Sequence, residues 1–116
     1  ESDCSCNPAI EVEMWDMCFN IADTTHISMR YWGLDSPIPE TIGQLVNLEE
    51  LDLKGNPLGG EIPEALGNLP NFDFLDCNSC ELERIPPSFW ENPNMRFVYL
   101  EDNYITGELP EDAVDP

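Results

Sequence analysis

The chain has 116 residues, enough for one domain, and a hydrophobic fraction of 41%, too high for a disordered acidic tail. Its 24 acidic residues face only four basic ones, Arg30, Lys54, Arg84 and Arg96, for a net charge of −20. Such a surface repels phosphate backbones and anionic membranes, no apolar run reaches the ~18 residues of a membrane span, and the partners left are cations, basic surfaces and uncharged molecules such as glycans.

Residues 1–26 stand apart from the rest of the chain. Asn7 before Pro8 reads as a helix N-cap with proline at the first helical position, and Ile10, Met14, Met17 or Cys18, and Ile21 then share one helical face. The expectation is a short amphipathic helix that caps the next segment, with Trp15 packing nearby. Three of the five cysteines, Cys4, Cys6 and Cys18, lie here, a clustering that suits a disulfide in an oxidising compartment. Either Cys4 or Cys6 is placed to bridge to Cys18. The opening Glu-Ser-Asp is no signal peptide, and the expectation is a secreted protein whose targeting segment has been removed.

From residue 27 the chain repeats itself. A shift of 24 residues carries Ile27 onto Leu51 and Leu51 onto Leu75, and a shift of 23 then reaches Val98. The same operation aligns Met29, Leu53, Cys77 and Leu100, and Leu34, Leu58, Leu82 and Ile105; the pairs Ile38-Pro39, Ile62-Pro63, Ile85-Pro86 and Leu109-Pro110 fall in one column. A further column holds Trp32, Asn56, Cys80 and Asn103. The chain thus divides into four units: 27–50, 51–74, 75–97 and an incomplete 98–116.

Alternation as in Leu51-Asp52-Leu53 predicts a short strand with one buried face. The asparagine column falls where the chain must turn, and an inward amide there satisfies backbone groups that the bend leaves unpaired. Proline after the isoleucine column fixes φ and removes a donor, so the return is 3₁₀ or irregular rather than a second strand. No unit can bury its own apolar side, but stacked copies can. The fold class expected is an α/β-type solenoid with a short parallel sheet on one face.

The stretch 48–69, Leu-Glu-Glu-Leu-Asp-Leu-Lys-Gly-Asn-Pro-Leu-Gly-Gly-Glu-Ile-Pro-Glu-Ala-Leu-Gly-Asn-Leu, resembles the plant-type leucine-rich repeat almost column for column, and Gly107-Glu108-Leu109-Pro110 repeats its Gly-Glu-Ile-Pro portion. The resemblance covers residues 27–116. It implies a right-handed solenoid, a disulfide-bonded N-terminal cap, recognition through the sheet face and no enzymatic activity in the repeats. The family's paired cysteines around Trp-x-Gly are missing from residues 1–26.

The outward strand positions supply the candidate site. Phe74 and Phe97 should be cross-strand neighbours with Tyr99 beside them, and exposed aromatics of this kind favour a partner-binding patch. Tyr31 and Glu101 join them as candidates. Asp52 and Asp76 should stack one strand apart, near Glu101 and Asp102. Like charges at that spacing repel, and non-specific divalent cations would screen them, without any calcium-loop motif. Cys77 and Cys80 form a CxxC whose members fall in inward columns, as packing residues or as a local disulfide; no second pair completes a zinc site. His26 is the single histidine and has no nucleophile motif around it. No cofactor and no metal site is expected.

Two functional readings result. The first is a secreted, non-enzymatic module that binds protein or glycan through its sheet face and its open end. The second is a structural subunit of an extracellular filament or matrix that assembles head to tail, because residues 98–116 show no capping helix or cysteine pair to cover the last strand.

Overall fold

The computed structural model describes residues 6–105. Cys4, the Leu109-Pro110 pair, the Gly107–Pro110 motif and the tail on which the head-to-tail reading rests lie outside the described residues.

The cap is a β-hairpin, not the expected helix. Strand β1 (Glu11–Met14) pairs antiparallel with β2 (Met17–Asn20), setting Val12 opposite Phe19 and Met14 opposite Met17. Glu11-Val12-Glu13-Met14 alternates with period two, and Val12 and Met14 are buried. Trp15 and Asp16 join the strands with φ of 51° and 63°, the left-handed pair that a two-residue hairpin turn requires. Asn7 does cap a turn, accepting the Ala9 N–H on Oδ1 and the Ile10 and Glu11 N–H groups on its carbonyl, but that turn is not propagated. Ile10, expected on the buried helical face, is 51% exposed. Cys6 and Cys18 form the disulfide across 12 residues, and Trp15 Nε1 donates to the Ser36 carbonyl, tying the hairpin tip to the first repeat.

The repeats build one parallel sheet in chain order: β3 (His26–Ser28), β4 (Glu50–Asp52), β5 (Phe74–Asp76) and β6 (Phe97–Tyr99). Ile27, Leu51, Leu75 and Val98 lie side by side in register. The ladder continues past the strands, with Met29 N–H donating to Asp52, Leu53 to Asp76 and Cys77 to Tyr99 carbonyls. Leu51, Leu53, Leu75 and Cys77 have no exposed surface, and Phe72 and Phe89 fill the space between coils.

Each return among the described residues is a single helical turn entered from an extended proline: 3₁₀, as expected, at Glu40–Gln44 after Pro39, but α-helical rather than 3₁₀ or irregular in α1 (Glu64–Gly67) after Pro63 and α2 (Pro87–Trp90) after Pro86. The prolines start these turns because their fixed φ suits a helix entrance and no N–H is lost there. α1 packs so closely on α2 that a Cβ at Gly67 would stand 2.8 Å from Phe89 Cα.

Three residues past each strand stands a left-handed residue, Tyr31, Gly55, Ser79 or Asp102, with φ of 59°, 78°, 59° and 60°. The asparagine column then links coils. Asn56 Oδ1 accepts the Trp32 and Leu34 N–H groups, and Nδ2 donates to the Met29 and Leu53 carbonyls. Asn103 repeats this on Cys80, Leu82, Cys77 and Leu100. Each amide thus fastens its own coil to the preceding one. Where Trp32 or Cys80 holds the column instead, the next residue, Gly33 or Glu81, also takes positive φ; after Asn56 and Asn103 it does not.

Candidate binding surface

Alternation along β3–β6 raises two rows of side chains on the open sheet face: His26, Glu50, Phe74 and Phe97 in one, Ser28, Asp52, Asp76 and Tyr99 in the other. With strands about 4.8 Å apart, neighbours in a row touch. Phe74 stands 6.1 Å from Phe97 and 5.8 Å from Tyr99 between ring centroids, tilted at 49° and 55°, within the range of favourable aromatic pairs. Phe97 is 45% exposed and the other two are half-buried. Arg96, which no repeat column singles out, holds its guanidinium 5.8 Å from the Phe97 ring and also pairs with Asp73 at 3.4 Å. The result is an aromatic patch with one cation on its rim.

The carboxylate row is different from the expected repulsive stack. Arg30 reaches across two strands, with Nε 2.6 Å from Asp52 Oδ2 and Nη2 3.6 Å from Asp76 Oδ2. The other oxygens accept backbone N–H groups, Lys54 on Asp52 and Asn78 on Asp76. Asp76 is buried. These two acids are therefore engaged in holding strands together, and the protein's own arginine supplies the positive charge expected of screening cations. His26 Nε2 lies 3.5 Å from Glu50 Oε2.

Tyr31 is not part of the patch. It is 68% exposed on the first coil, two strands from Phe74, and its ring lies over Gly55, where a Cβ would meet Tyr31 Cδ1 at 2.2 Å. Glu101 lies beyond β6, and its N–H donates to Asn78 Oδ1.

Cys77 and Cys80 are both buried free thiols. Cys80 Sγ–H donates to the Leu53 carbonyl at 3.1 Å, the bond to the preceding coil that an asparagine makes elsewhere in this column. The hydrogen bond to Cys80, then burial, pushes the Cys77 thiol well up; the same bond lowers Cys80. Both are packing residues here. Cys6, Glu11 and Cys18 bring ligand-type atoms within 4.8 Å of one another, but the two sulfurs are bonded to each other and offer no thiolate.

Parallel strands in register, an inward polar ladder at the turn and proline-led returns are the features of a repeat protein, and comparison with known proteins supports a solenoid-type α/β fold. The Leucine Rich Repeat family model matches residues 47–69. Among solved structures, the plant peptide hormone receptor RGFR1, determined in complex with RGF2, is similar with a TM-score of 0.62 and 39% identity over 68% of this chain. The chain thus carries leucine-rich repeats of the plant type. It spans 13% of the length of that receptor chain. No curated protein matches it. No helix among the described residues is long and apolar enough to cross a membrane.

Proposed function

We propose that this chain is a protein-binding leucine-rich-repeat module that holds an extended peptide segment across its sheet face, at Phe74, Phe97 and Tyr99. The observation that carries the reading is the aromatic triad on an open face. Rings in mutual contact yet partly wet are the surface that interface cores are made of. The similar solved structure is that of a peptide hormone receptor, which favours the same class of partner. Net charge selects within that class: a chain at −20 draws peptides that combine apolar anchors with lysine or arginine. We read residues 1–26 as the cap and 27–116 as a right-handed run of repeats, the usual hand of parallel crossovers. The Cys6–Cys18 bond favours an extracellular or otherwise oxidising setting.

Selection from a random peptide display library tests this. Enriched peptides should be captured by the native chain, and Phe74→Ser with Phe97→Ser should weaken capture at least ~30-fold, equivalent to losing about 2 kcal/mol from two aromatic anchors. Circular dichroism should be unchanged, because both side chains lie outside the leucine core. Equal capture by the double variant rejects the patch.

A further inference from the structure

A second site lies off the sheet, between the ends of α1 and α2. The core column just after each return reads Leu45, Leu69 and then Asn92: two buried leucines followed by an amide that is only 9% exposed. Beside Asn92 opens a cleft of about 310 Å³ bounded by Asn68, Leu69, Ser88, Glu91 and Asn94. The Ser88 hydroxyl is fully enclosed there and has no hydrogen-bond partner. An amide in a leucine column, with Asn68 and Asn94 beside it, makes this cleft a polar departure from the repeat.

We propose that this cleft binds a neutral saccharide. The amides are already aligned: Asn92 Oδ1 accepts the Asn94 N–H, Asn92 Nδ2 donates to the Leu69 carbonyl, and Asn94 Nδ2 donates to the Pro70 carbonyl. Each amide nitrogen keeps a second N–H, and each amide oxygen a second lone pair, for a guest. Donors and acceptors side by side suit groups that do both, as sugar hydroxyls do. Pro70 and Pro93 add a small apolar surface at the cleft's edge for the C–H face of a ring. No lysine, arginine or histidine lines the cleft and Glu91 stands at its edge, so phosphate, sulfate and carboxylate ligands are disfavoured. The volume equals on the order of ten waters at ~30 Å³ each, room for a sugar ring rather than for one bridging water.

The test is ¹H–¹⁵N NMR of the whole chain with cellotriose, laminaritriose, mannotriose, xylotriose and chitotriose. At least one should shift the amides of Leu69, Ser88 and Asn92, with a Kd of about 1 mM or tighter. Asn92→Leu, which restores the leucine column, should weaken that binding at least ~tenfold with the circular dichroism spectrum kept, and Asn94→Ala should weaken it less. Three results would overturn the proposal: no trisaccharide shifts these amides at about 10 mM, leaving a cleft that holds water only; the shifts fall on the sheet face instead; or Asn92→Leu binds unchanged. Peptide capture by the Phe74 and Phe97 patch is a separate readout, so either site can fail alone.

Discussion

Asn56→Leu is expected to destabilise the protein by about 4 kcal/mol, a large share of the 5–15 kcal/mol that typical domains possess. Asn56 has no exposed surface, and its amide makes four backbone hydrogen bonds, three of them to the preceding coil. Leucine fills the space but leaves the Trp32 and Leu34 N–H groups and the Met29 carbonyl without partners, at about 1–3 kcal/mol each, partly offset by the added apolar burial. The Leu53 carbonyl retains the Cys80 thiol. Asn103→Leu should cost less, since that residue is only half-buried and water can replace part of its network. Urea denaturation measures both. A loss below about 1 kcal/mol at position 56 would show that the amide ladder is not what joins the coils.

Cys18→Ser should remove about 3 kcal/mol, the chain-entropy value for a loop of this length. The Cys6–Cys18 bond closes a span of 12 residues around the hairpin. An isolated two-stranded hairpin is marginal in water, so the bond and the packing of Val12 and Met14 together keep the cap in place. When the cap loosens, the first return at Glu40–Gln44, on which β1 packs, loses its cover, buried Ile42 included. Hydrogen exchange should therefore quicken first at Val12, Met14 and Phe19 and then in the first coil, with Leu51 and Leu75 affected least. Unchanged exchange in the hairpin of the serine variant would assign the cap's stability to packing alone.

The stack could be read from residues because each column has one physical demand. Leucines at alternate positions can only meet a core if neighbouring coils align, and the register of Leu51 with Leu75 and of Leu75 with Val98 is that alignment. The contact of Phe74 with Phe97 came from the same columns.

The cap was harder because two periods coincide in it. Ile10, Met14, Cys18 and Ile21 fit a helix, while Glu11 to Met14 fit a strand. Trp15 and Asp16 decide between them by adopting positive φ, which tryptophan rarely does and which no turn propensity announces.

Arg30 shares the outward parity of Ser28, but its reach to Asp52 and Asp76 depends on side-chain length and direction rather than on column position. The polar cleft was hidden for another reason. The third unit is one residue shorter, so Asn92 falls in the leucine column only when the back half of that unit is realigned.

The most direct measurement is of scalar couplings across backbone hydrogen bonds in uniformly labelled protein. Stacked parallel coils require couplings from the amide nitrogens of Met29, Leu53 and Cys77 to the carbonyl carbons of Asp52, Asp76 and Tyr99, respectively. Couplings that joined these strands in antiparallel order, or that skipped a coil, would contradict the stack and with it the placing of the aromatic patch.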